Sequence, residues 1–273
     1  MLYLDGPLVL AGAGNMGYAL LAGWLERGLD PARIVVQDPA PAPHIRVKLE
    51  EHGVAVQSAI SSLSEAPAVI LVAVKPQVMD QVFPPLAKLA QPKTVVLSVA
   101  AGCRIAGFET HLPKGSAVVR AMPNTPASIG RGITAAIGNA AVTDKQRAAC
   151  DALLRAVGEV TWVNDEALID AVTAVSGSGP AYVFYLAECL AQAGAKAGLP
   201  PDLAEKLAVW TVSGAGELLH RSDLSADVLR RNVTSPNGTT HAALQVLMAE
   251  NGLSDLMERA VKAAADRSRE LAK

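Results

Sequence analysis

The chain has 273 residues, 51% of them hydrophobic and 18% charged, which is enough for one large or two modest domains around a buried core. A formal net charge of -2 with both signs interspersed excludes a basic field for nucleic acid or an anionic membrane surface. Cys103, Cys150 and Cys189 are odd in number, far apart and set among apolar residues. Buried free thiols in a reducing compartment are expected, not a disulfide framework or a metal site.

Met1 to Pro7 lack a basic segment followed by a long apolar stretch, and apolar runs such as 66–74 are too short to span a bilayer. The expectation is a soluble, cytoplasmic protein. Short apolar runs follow at Leu8–Ala11, Ile34–Val36, Val69–Val74, Val95–Val99 and Ala117–Val119, with helix-compatible stretches at Met16–Arg27 and His44–Glu51 between the early ones. Strands without polar alternation, joined by crossovers, predict a parallel sheet covered on both faces. A strand at Ile133–Ile137, a helix at Asp144–Val157 and a strand at Val160–Val163 complete this half. The fold class is therefore α/β: a Rossmann-type doubly wound parallel sheet over 1–163, then an all-helical domain over 164–273. In the second part, Pro180 suits a first helical turn, and Tyr182, Tyr185, Leu186, Cys189, Leu190 and Ala193 form one apolar stripe. Gly198 and Pro200 end that helix. Leu253, Leu256, Met257, Ala260, Val261 and Ala264 repeat the pattern in the last one.

Gly12-Ala13-Gly14-Asn15-Met16-Gly17 follows the first strand and opens the first helix. In that context Gly12 permits a tight turn, Gly14 lets backbone approach a pyrophosphate, and Gly17 allows close helix–strand packing. The amides of Asn15 and Met16 would face the phosphates from a helix N-terminus. Asp38 ends the second strand. Two readings stand: a ribose acceptor, which favours NADH because a 2′-phosphate would be repelled, or a capping residue for the next element. Arg46 is the basic candidate for such a phosphate, and no basic residue adjoins Asp38. Val74-Lys75-Pro76 ends the third strand, where Pro76 holds Lys75 extended. Lys75 is either a dinucleotide contact or a solvated loop lysine. Small side chains at Val99-Ala100-Ala101-Gly102 leave room for a flat nicotinamide ring beside Ala101. Asn124, in Met122-Pro123-Asn124-Thr125-Pro126, either orients the carboxamide or only forms a turn.

These segments, with Ser176-Gly177-Ser178-Gly179-Pro180-Ala181-Tyr182 and Thr234-Ser235-Pro236-Asn237-Gly238-Thr239-Thr240, resemble the pyrroline-5-carboxylate reductase family over nearly the whole chain. The resemblance implies NAD(P)H-dependent reduction of 1-pyrroline-5-carboxylate to proline, the last step of proline synthesis. It also implies a helical domain that interlocks with its twin as a homodimer, further assembly into decamers, and a substrate site at the dimer interface. It marks Thr240 as candidate proton donor and places Glu166, Asn232, Ser235, Gly238 and Thr239 near the substrate. Two positions depart from the family pattern. Asn237 stands where relatives commonly have glycine, and Asp38 stands where many have a hydroxyl or basic group, which leaves NADPH or NADH open.

The segment suits the chemistry on its own terms. Free amides of Gly238, Thr239 and Thr240 at a helix start would hold a carboxylate, and Gly238 would leave room for a small ring. The Thr240 hydroxyl would meet the ring nitrogen as it gains electron density; an ordinary threonine N-cap is the plainer reading. Glu166 acts through the substrate cation or neighbouring hydroxyls, or is a solvated helix-start residue. Asn232 reads equally as a turn residue. His44, His52, His111, His220 and His241 lack zinc spacing, and His241 beside the threonines is open between structural and catalytic roles. Ser176 and Ser178 form no nucleophile elbow. The rivals are a related Rossmann-plus-helical reductase of a β-hydroxyacid or another imine, and a non-catalytic dinucleotide-binding protein.

Overall fold

The computed structural model describes residues 2–272. Eight strands, β1 (Leu8–Ala11), β2 (Ile34–Gln37), β3 (Ala55–Gln57), β4 (Val69–Val72), β5 (Val95–Ser98), β6 (Ala117–Met122), β7 (Gly132–Gly138) and β8 (Gly158–Trp162), form one sheet in the order β3-β2-β1-β4-β5-β6-β7-β8. Strands β1, β4 and β5 are buried along their whole length, which is why they carry no polar alternation. The expected parallel sheet holds except between β6 and β7, which pair antiparallel. Only a short 3-10 turn, Thr125–Ile129, joins those two strands, and a parallel return needs a longer crossover.

Helices α1 (Asn15–Glu26), α2 (Pro43–Glu51), α3 (Met79–Ala87), α4 (Ile105–Glu109) and α5 (Asp144–Leu154) cover the sheet. One apolar cluster gathers Leu20, Leu21 and Trp24 of α1, Leu49 of α2 and Leu153 of α5; another gathers Phe83 and Leu86 of α3 and Phe108 of α4. The sheet is thus wound on both sides. Buried Trp24 satisfies its indole N–H by donating to the Leu153 carbonyl at 2.8 Å. Phe83 and Phe108 meet edge to face with ring centroids 4.9 Å apart.

Residues Met1–Gly177 and Ala265–Lys273 form one compact unit, and Ser178–Ala264 a second. Helix α6 (Leu168–Val172) and the π turn Thr173–Gly177 belong to the first, with Ile169 and Ala174 buried. The division thus falls beyond the 163/164 boundary read from the loss of strand signal. In the same unit the Ser268 hydroxyl, near the end of the last helix, donates to buried Asp170 at 2.6 Å.

The second unit contains α7 (Gly179–Lys196), α8 (Pro201–Arg221), α9 (Ala226–Asn232), α10 (Thr239–Leu247) and the start of α11 (Leu253–Leu271). Pro180 lies in the first turn of α7, and Gly198 at φ 104° follows its end. The stripe on α7 is not buried within the chain: Tyr185, Leu186 and Leu190 stay exposed, as does Trp210 of α8 at 70%. Apolar faces left open on two long helices call for a protein partner. The expectation of buried thiols holds only for Cys150; Cys103 and Cys189 are half-buried, and none of the three forms a disulfide among the described residues. Cys189 stands on the uncovered α7, whereas Cys150 is on the buried face of α5, where burial pushes its thiol up to about 12.

Candidate active site

The glycine loop has the geometry its sequence requires. Gly12 sits at φ 92°, and a side chain there would meet the Ala73 carbonyl oxygen at 2.8 Å. A Cβ on Gly17 would lie 2.0 Å from the Gly12 carbonyl oxygen, so α1 rests directly against the turn. Gly14 is the N-cap of α1, and a Cβ on it would meet nothing within 4 Å. That open space lies before the first-turn N–H groups, including those of Asn15 and Met16, which have no acceptor within their own helix. Helix α1 has no acidic residue in its first turn, which leaves its positive end uncompensated for an anion. The cradle fits a dinucleotide diphosphate.

Asp38 has a third role besides the two expected. Its Oδ2 accepts the Ala13 N–H at 2.8 Å and its Oδ1 the Ala40 N–H at 2.9 Å. The half-buried carboxylate therefore braces the glycine loop and closes its own turn. It does not cap α2, whose N-cap is Ala42 followed by Pro43.

Val74, Lys75 and Pro76 lie just past β4, which stops at Val72. Val74 backs the loop, its Cγ1 3.0 Å from where a Gly12 side chain would begin. Lys75 is extended at φ -66°, ψ 143°, as Pro76 dictates, and its side chain is exposed. Ala101 is exposed beyond β5, beside Gly102 at φ 75°. Asn124 is buried and its Oδ1 accepts the Ile133 N–H at 2.9 Å, so this oxygen joins the loop to β7. The first unit thus gathers Gly12, Gly14, Asn15, Met16, Gly17, Asp38, Val74, Lys75, Pro76, Ala101 and Asn124 at the carboxyl ends of β1, β2, β4, β5 and β6. That edge is where open α/β sheets bind ligands.

Glu166 also belongs to the first unit and is not a free carboxylate. Its Oε1 accepts the Arg120 Nη1–H at 2.8 Å and the Ile105 N–H at 2.9 Å. The Arg120 side chain is only 4% exposed, and the Glu166 carboxylate balances its charge. Sequence reasoning missed Arg120 because the apolar run ended at Val119; an arginine inside β6 was the available signal.

Asn232, Ser235, Gly238, Thr239 and Thr240 come together in the second unit. Asn232 ends α9 and is exposed. Asn237 is the one non-glycine residue at positive φ, 58°, among the described residues. Gly238 donates its N–H to the Ser235 carbonyl at 3.0 Å, so the expectation of a free amide fails there. A tight turn uses that group to close itself. Gly238 is the N-cap of α10, which places Thr240 inside the first turn and excludes the plain N-cap reading of its hydroxyl. The N–H groups of Thr239 and Thr240 are left for an anion. His241 is held, with Nδ1 accepting the Asn237 N–H at 3.1 Å.

A doubly wound sheet with a diphosphate cradle, continued by a helical unit bearing an anion-accepting turn, defines a nicotinamide-dinucleotide oxidoreductase. Residues 8–102 match the family model described as NADP oxidoreductase, coenzyme F420-dependent, and residues 166–271 match the one described as pyrroline-5-carboxylate reductase dimerisation. A pyrroline-5-carboxylate reductase of Pseudomonas aeruginosa is 42% identical over 97% of this chain and 96% of its own length. A solved pyrroline-5-carboxylate reductase from Coxiella burnetii superposes with a TM-score of 0.90 at 35% identity, covering 98% of this chain and 99% of that one. The Plasmodium falciparum pyrroline carboxylate reductase, solved with NADP bound, gives a TM-score of 0.82 at 26% identity over 98% of this chain and 99% of that one. The chain belongs to the pyrroline-5-carboxylate reductase family.

Proposed function

We propose that this chain carries out the family's reaction, reduction of 1-pyrroline-5-carboxylate to proline with NAD(P)H, by the following division of labour. The N–H groups of Asn15 and Met16 hold the diphosphate, with Gly12, Gly14 and Gly17 giving it room. Val74, Lys75, Pro76, Ala101 and Asn124 line the rest of the dinucleotide path along the strand ends. The bound nicotinamide supplies hydride to the imine carbon. The Thr239 and Thr240 N–H groups donate to the substrate carboxylate, and Ser235, Gly238 and Asn232 shape the space around it. The Thr240 hydroxyl donates to the ring nitrogen as charge develops there, an effect of orientation and preorganised polarity. Glu166 acts from its pair with Arg120, holding the start of α4 beyond the Ala101 loop.

The observation that carries this reading is the Thr240 hydroxyl, released from capping by Gly238 and set beside two N–H groups at a helix start. Thr240→Ala should lower turnover about 100-fold while dinucleotide affinity is preserved. Loss of cofactor affinity equal to that of Gly14→Val would defeat this assignment. Oxidation of the reduced cofactor, followed with pyrroline-5-carboxylate and with oxo acids, separates it from the rivals. Turnover only with an oxo acid supports the β-hydroxyacid enzyme, and binding without turnover supports a passive dinucleotide protein.

NADH is the proposed preferred cofactor over NADPH. The Asp38 carboxylate stands fixed beside the glycine loop and opposes a 2′-phosphate. The exposed apolar residues of α7 and α8 support a homodimer at least, with a decamer as the fuller assembly. Three cysteines without a disulfide among the described residues fit a cytoplasmic location, and no helix among those residues is long and apolar enough to cross a membrane.

A further inference from the structure

We infer that His241 is a positioning residue for the substrate turn: its imidazole locks Asn237 and so fixes where Thr239 and Thr240 present their donors. The inference rests on the proposed reading that 235–240 holds the imino acid.

In the turn from Ser235 to Gly238, the Ser235 carbonyl is satisfied by the Gly238 N–H at 3.0 Å. Pro236 then a residue at positive φ is the pattern of a type II turn, whose third residue has an N–H with no acceptor inside the turn. Asn237 is that residue. At φ 58° it adopts a left-handed conformation that glycine takes freely and asparagine tolerates better than most residues, and the turn gains a further tie from outside. His241, one helical turn along, supplies it by accepting the Asn237 N–H on Nδ1 at 3.1 Å. Gln245, one turn further, has its side-chain amide 3.3 Å from Nε2; with Nδ1 accepting, Nε2 carries the hydrogen, so the Gln245 amide oxygen is the group that can receive it.

Asn237, His241 and Gln245 therefore form a column on one side of α10. Thr239 and Thr240 lie between the first two of these residues, so rotation of the turn about Pro236 would carry their N–H groups with it. Nδ1 accepts a backbone N–H and so delivers no proton, and Nε2 is turned to Gln245; the histidine therefore serves geometry, and proton donation is left to Thr240 or water.

The test is steady-state kinetics on the full-length protein with pyrroline-5-carboxylate and NADH. His241→Ala should raise KM for the imino acid about three- to tenfold, the worth of one ordinary hydrogen bond, with dinucleotide affinity unchanged. His241→Asn places an acceptor oxygen near the position of Nδ1 and should bring KM back to within about twofold of the parent. A parental KM in His241→Ala overturns the inference. So does an impaired His241→Ala that His241→Asn fails to rescue, since a packing role does not respond to an acceptor. Thr240→Ala, run alongside, separates the two claims. If it is harmful while His241→Ala is silent, only the histidine's role falls; if it is silent too, the substrate-site reading falls as well.

Discussion

The Asp38 carboxylate accepts the backbone N–H of Ala13 at 2.8 Å, which ties the end of β2 to the turn that receives the diphosphate. One acidic group therefore shapes the cradle and sets its charge. Asp38→Ala should weaken both reduced dinucleotides about tenfold, the scale of a lost hydrogen bond to an ion. It should also move the NADH-to-NADPH affinity ratio toward NADPH. Fluorescence titrations with each cofactor read both effects, and an unchanged ratio would show that Asp38 does not sense the 2′ position.

Gly14 and Gly17 should fail in different ways. An added methyl group at Gly14 meets no protein atom, and its φ of -71° suits any residue, so Gly14→Ala should keep the parental melting temperature and lose cofactor affinity. At Gly17 the same methyl would sit 2.0 Å from the Gly12 carbonyl oxygen, so Gly17→Ala must push α1 off the turn. That overpacking should cost about 1–3 kcal/mol or more. Thermal melts with and without NADH distinguish the two.

Glu166→Leu should lower unfolding free energy by about 3 kcal/mol, because it leaves the Arg120 charge buried without a counterion. Glu166→Gln keeps an acceptor for Arg120 and the Ile105 N–H and should cost less. The double variant Arg120→Met with Glu166→Leu should recover much of the loss. Urea titrations of the parent, Glu166→Leu, Arg120→Met and the double variant give the cycle; an additive double variant would mean that the pair is not coupled.

Cys150 predicts an alkaline limit. Burial, assisted by the neighbouring Asp151 charge, raises its thiol from an ordinary 9.0 to about 12. The folded state therefore keeps a proton that the unfolded state releases. The associated stability is complete below pH 9 and is lost as pH climbs toward 12. Cys150→Ala should flatten that part of the stability–pH curve, and iodoacetamide should leave native Cys150 unmodified until denaturant opens the fold.

Much of the nucleotide half is legible in the sequence because its signals are local. Apolar runs the length of one strand mark β1, β4 and β5, and Gly12 and Gly17 mark a turn with no room for side chains at those two positions. Strand β3 escapes notice because Ala55-Val56-Gln57 is short and only partly covered. The strand at Ile133–Ile137 is read, as β7, but its antiparallel direction escapes because periodicity carries no direction. In the candidate site, the phosphate loop can be read from residue type and spacing, whereas the Ser235–Thr240 turn is marked by the resemblance to the family.

The sequence alone determined which segments become sheet, helix and anion cradle, since backbone preference and hydrophobic period are properties of neighbouring residues. Only the tertiary structure decided the partners of the polar side chains: Asp38 with Ala13, Glu166 with Arg120, and Asn124 with Ile133. Each pair joins segments separated along the chain. Which donor meets which acceptor depends on how the elements pack, a quantity no local pattern encodes.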